Sequence, residues 1–115
     1  MRSTFPILLS ALSLGLAACS QPTPQEQQAE QIRDQADTQG DAIEAAAKDQ
    51  SAKMDADAAA LLNQAGTSQS FDAQRLQVQA DALKKQADLI EEQADARANA
   101  VRAAGEAQAT ALLAQ

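Results

Sequence analysis

The chemistry open to this 115-residue chain rests on one thiol and sixteen carboxylates, since it holds one Cys, sixteen Asp plus Glu and no His. The thiol, Cys19, closes the run Leu16-Ala17-Ala18-Cys19. It has no second cysteine to pair with, so an intramolecular disulfide is excluded. Carboxylates four residues apart, Asp88 with Glu92 and Glu91 with Asp95, share a helix face and could in principle divide acid and base roles. A solvated acidic face explains them better, because an apolar pocket is needed to raise a carboxylate pKa and the sequence offers none. The Ser and Thr hydroxyls have no His to activate them, and the acidic residues do not follow the spacing of a calcium-binding loop. The sequence therefore predicts no enzyme, no metal site, no cofactor and no small-molecule substrate. A net charge of −7 without Trp or Tyr also argues against nucleic acid, whose phosphates need clustered Lys and Arg.

Cys19 gains its meaning from the residues before it. Arg2 supplies a positive start, and an apolar stretch runs from Pro6 to Leu16. That length suits the core of a signal peptide and falls short of the ~20 apolar residues a bilayer-spanning helix needs. Leu16-Ala17-Ala18-Cys19 then matches each element of a lipobox, a Leu-type residue, two small residues and a Cys. On these residues the leader resembles that of bacterial lipoprotein precursors. The resemblance implies cleavage between Ala18 and Cys19, diacylglycerol on the Cys19 sulfur and acylation of the new amino group. It implies a protein held to a membrane by a covalent lipid without spanning it. Ser20 stands where an Asp would retain an enteric lipoprotein on the inner membrane, so the resemblance places it on the periplasmic face of the outer membrane. An ordinary secretory signal cut after Ala18, leaving Cys19 free, fits the same small residues.

A tether and two helices must carry this anchor into a folded body. Pro22 and Pro24 keep residues 19–24 extended. No proline occurs afterwards, and from Cys19 onward 26 residues are alanine while only 14 are Ile, Leu, Val, Met or Phe. That is too little bulk for a globular core, but well suited to helix. Gly66 marks a break as a left-handed C-terminal residue, and Ser70 can cap the second helix. The reading is all-α: a signal peptide at 1–18, a tether at 19–24, helix one at 25–65, a turn at 66–70 and helix two at 71–113. Each helix would be roughly 60 Å long. Gly40, with capping-box-like spacing at Asp41 and Glu44, is a soft point in a helix expected to run through it.

Two repeats define a seam. Ile32, Ile43 and Met54 recur every eleven residues, accompanied by Ala36, Ala47 and Ala58. In helix two, Ala73, Ala80, Ala87, Ala94 and Val101 share one heptad position, and Leu76, Leu83 and Ile90 share the other, until Arg97 interrupts. Beyond it, Ile90, Val101 and Leu112 follow the eleven-residue spacing. Heptads and eleven-residue repeats favour opposite supercoil hands, so their mixture predicts nearly straight helices. The short connection predicts an antiparallel hairpin or coiled coil whose C-terminus returns toward Cys19. A two-helix hairpin cannot cover its Leu and Ile fully, which leaves self-association or a partner helix open beside a monomeric rod.

These features predict a membrane-anchored structural or interaction lipoprotein that projects a helical rod into the periplasm. The plan of acylated Cys, short tether and long repeat helix is similar to that of the small helical murein lipoproteins. Their C-terminal wall-coupling lysine is not matched, because this chain ends Ala111-Leu112-Leu113-Ala114-Gln115. Two alternatives are a stress-protective protein and an adaptor in an envelope complex. The first resembles late embryogenesis abundant proteins in its alanine-rich eleven-residue repeats, without their Lys-rich stripe.

Overall fold

The computed structural model describes residues 21–115, so the leader, the Leu16–Cys19 motif and Ser20 lie outside the described residues. The described chain is all-α: α1 spans Pro24–Ala65 and α2 spans Phe71–Leu113, packed along their length as an antiparallel hairpin.

α1 begins within the proline-rich tether, at Pro24. Proline at the first helical position sacrifices only an N–H that has no intrahelical acceptor. Thr23 completes a capping box not anticipated from the sequence. Its hydroxyl accepts from the Glu26 N–H at 3.1 Å, while its own N–H donates to the Glu26 carboxylate at 2.7 Å. The helix runs unbroken through Gly40 to Ala65. Gly66 ends it at φ 62 and ψ −146, its N–H donating to the Leu62 carbonyl at 3.0 Å. The positive φ was expected, but the ψ differs from the left-handed helical cap and lies toward a region that is essentially glycine-only. Ser70 caps α2, accepting from the Ala73 N–H at 3.2 Å.

The helices meet through small residues. In α1 the buried positions are Ala29, Ala36, Gly40, Ala47, Ser51, Ala58 and Ala65. In α2 they are Ala73, Ala80, Ala87, Ala94, Ala98, Gly105 and Ala109. No large side chain among the described residues is fully buried. Each seam steps by seven or four residues and advances 36 residues in ten turns, from Ala29 to Ala65 and from Ala73 to Ala109. That is about 3.6 residues per turn, the period of a straight α-helix, so the two seams stay in contact without supercoiling.

Gly105 shows how close the approach is. A Cβ built there would lie well inside the distance real Cβ atoms keep from Ala36 Cβ, and 3.5 Å from the Ile32 carbonyl oxygen. Gly105→Ala therefore sets a helix-propensity gain of about 1 kcal/mol against overpacking that costs about 1–3 kcal/mol. We expect a melting temperature lower by about 4–8 °C per kcal/mol of net loss. Adding Ala36→Gly keeps one Gly and one Ala in the pair, and should return the midpoint close to the native value by circular dichroism. A double variant no better than Gly105→Ala would show that the helices do not meet there.

Candidate interaction surface

The seam divides the hairpin into two unlike faces. One carries the larger apolar side chains: Ile32, Ile43, Met54 and Leu61 on α1, and Leu76, Leu83, Ile90, Val101 and Leu112 on α2. All nine are half-buried, and none belongs to the buried seam. Each follows a buried small residue by three positions, which sets it to one side of the contact line. The two rows converge on the same side of the ribbon. Ile43 and Ile90 line one shallow groove with Ala47 and Ala94, and Ile32 and Val101 line a second with Ala36 and Gly105.

Of the residues assigned to the packing seam from sequence, the structure buries the alanines, Ala73, Ala80, Ala87 and Ala94 among them, and moves Ile32, Ile43, Met54, Leu76, Leu83, Ile90, Val101 and Leu112 to its flank. Val101 is the informative case. The heptad reading grouped it with Ala94, but the seam steps by four from Ala94 to Ala98, and Ala98 takes the buried position. Val101 then joins Leu76, Leu83 and Ile90 in the flanking row. The same step leaves Arg97 exposed at the groove edge rather than inside a core. In α1, the alanines that accompany the Ile and Met residues, Ala36, Ala47 and Ala58, are the buried partners.

The opposite face is ionic. Arg33 grips Glu106 with two bonds, Nε to Oε2 at 2.7 Å and Nη2 to Oε1 at 3.0 Å. Arg102 reaches across to three acids of α1, with Glu44 and Asp41 each at 2.8 Å and Asp37 at 3.9 Å. Gly40 makes room for that reach, since a Cβ there would lie 2.8 Å from Arg102 Nε. Ser51, the one polar residue buried in the seam, donates its hydroxyl to the Glu91 carboxylate of the other helix. These cross-helix links went unseen in the sequence. Asp37, Asp41 and Glu44 signal an acidic row by their spacing of four and three. The basic partner depends on hairpin register, which one helix does not reveal.

The guanidinium of Arg102, hydrogen-bonded to Glu44, holds that carboxyl below the ordinary glutamate range. Arg33 does the same to Glu106. Both arginines are in turn pushed above their ordinary values, Arg102 first by its bond to Glu44 and then by that to Asp41. Exposed pairs of this kind specify register more than they add stability.

Four large apolar residues are more exposed than the grooves: Phe71, Val78, Leu89 and Leu113. Spacings of seven and eleven put Phe71, Val78 and Leu89 in line on the outer side of α2, away from the seam. Among the described residues no helix is long and apolar enough to cross a membrane, and no three Cys, Asp or Glu side chains are placed to hold a metal ion. No protein-family profile, curated protein or solved structure matches the chain.

The arginine links give a signed pH dependence. A carboxyl whose pKa is depressed on folding contributes stability that is complete above its unfolded value, near pH 4.3 for Glu, and is lost as pH falls through the lower folded value. The native chain should melt above Arg102→Met by a constant margin at pH 5–8. That margin should shrink as pH falls below about 4.3. A margin independent of pH down to 2.5 would remove the Glu44 link.

Proposed function

We propose that the protein is a lipid-anchored structural or interaction lipoprotein that projects a narrow helical hairpin from a membrane. The observation that carries this reading is the run Leu16-Ala17-Ala18-Cys19 closing an apolar leader of signal-peptide length. A sole cysteine at that position suits a lipid attachment point. Two or more acyl chains hold a protein stably, at about 0.8 kcal/mol for each buried methylene. The capped start of α1 at Thr23 leaves only a few residues between Cys19 and a rigid helix. Because the hairpin is antiparallel, its C-terminal end and its N-terminal end point the same way, and the turn at 66–70 would be the membrane-distal tip.

The reading includes the periplasmic face of the outer membrane, from Ser20 in place of Asp. It assigns no catalysis. A role as adaptor for a partner helix is compatible with the same anchor. A protective role that depends on helix forming only on drying fits less well, because each helix has a matched small-residue seam to pack against and the Lys-rich stripe of such proteins is missing.

Mass spectrometry of the N-terminal peptide of the processed protein tests the reading. We expect chains beginning at Cys19 and carrying diacylglycerol plus an amide-linked acyl group, and we expect Cys19→Ser to abolish membrane retention of the processed chain. An unmodified Cys19 at the mature N-terminus would contradict lipidation, and the membrane placement with it.

A further inference from the structure

We propose that two copies of this chain pair through their grooved apolar faces, making an antiparallel four-helix bundle with the ionic faces outward. This pairing rests on the hairpin alone and does not require lipid at Cys19.

The first observation is where the charge is absent. The chain holds sixteen carboxylates, and all of them lie between Glu26 and Glu106, on the two helices. None lines either groove. The grooves are walled by Ile, Val, Ala and Gly and edged by glutamine, with Gln50 and Gln93 on one and Gln35, Gln39 and Gln108 on the other. Arg97 is the one charged residue lining them. Copies of a chain with net charge −7 repel one another over most of their surface. The two grooves are where two copies can approach without opposing carboxylates. Glutamine at the border supplies neutral donors and acceptors for the polar rim that protein interfaces keep.

Area favours the same pairing. Two level helices of about 60 Å, each about 10 Å across, present a face of roughly 1,200 Å². A stable protein interface needs about 800 Å² from each partner. The face is also continuous, since the half-buried row of α1 runs from Ile32 to Leu61 and that of α2 from Leu76 to Leu112. Side chains half-covered within one hairpin become core when a second hairpin closes over them, as in other four-helix bundles. A two-fold axis matches the face to itself. A lipid surface suits it poorly, because helices that lie on bilayers border their apolar face with Lys and Arg rather than Gln.

The test is photocrosslinking in cells that produce the full chain. Benzoylphenylalanine at Gln93, on the groove edge, should give an adduct of twice the chain mass whose peptides all come from this protein. The same probe at Asp49, exposed and unconnected with either groove, should give at least ten-fold less. Ile43→Glu with Ile90→Glu, tested with the Gln93 probe, should reduce the adduct by ten-fold or more. No adduct at Gln93, an adduct with lipid or another protein, or equal adducts at both positions would overturn the proposal. The comparison of probe sites keeps the face itself unaltered, so it stands even if the double substitution unfolds the chain.

Discussion

Close approach between two helices, made possible by Ala, Gly and Ser at every contact, is the constraint on which the rest of this structure depends. The seam contains no large side chain, so its stability cannot come from a few deeply buried residues. It comes from length. Seven small positions on each helix bring the backbones together over ten turns, where many weak dispersion contacts add. Such a contact has little tolerance, since an extra methyl at Gly105 would collide with Ala36. Alanine also carries the lowest cost of helix formation, so the residue that permits contact also forms the element.

The narrow seam forces larger side chains to its sides, and there the faces diverge. Bulky apolar residues, each three positions after a small one, collect on one face, while the arginine–carboxylate pairs collect on the other, which also carries Leu62. The ionic face and the seam answer different needs. Alanine contacts alone are nearly alike along the seam, so they distinguish registers less than a paired polar group does. The bidentate Arg33–Glu106 pair, the Arg102 cluster over Gly40 and the Ser51–Glu91 bond each fit one register. A single polar group in a helical seam is the best-attested device for choosing register, and Ser51 holds that position here.

Helix number, the turn and the antiparallel return were legible in the sequence because their signals are local: Gly66, Ser70 and the absence of proline after Pro24. The eleven-residue spacing of Ile32, Ile43 and Met54 groups them on one side of α1. It did not reveal which residues sit deepest. Periodicity groups residues by face, and Ile43 and Ala47 lie on neighbouring lines. The usual expectation that the bulkier residue is buried points to Ile43, whereas contact between backbones requires Ala47. The shift at Arg97 was visible as a break, but its resolution through Ala98 needed the partner helix. The cross-helix ion pairs span 58 to 73 residues of sequence and depend on the register itself.

The central claim is an antiparallel hairpin closed by this seam over its whole length. Double electron–electron resonance between spin labels on Gln31→Cys and Ala111→Cys, with Cys19→Ser and unlabelled chain in excess, measures it most directly. Both sites are exposed near the free ends of their helices. Helices packed side by side have axes about 8–10 Å apart, so the account predicts one narrow distribution below about 40 Å. Helices that separate from the turn would place labels at the ends of two ~60 Å arms, and a broad distribution reaching well beyond 40 Å would contradict it.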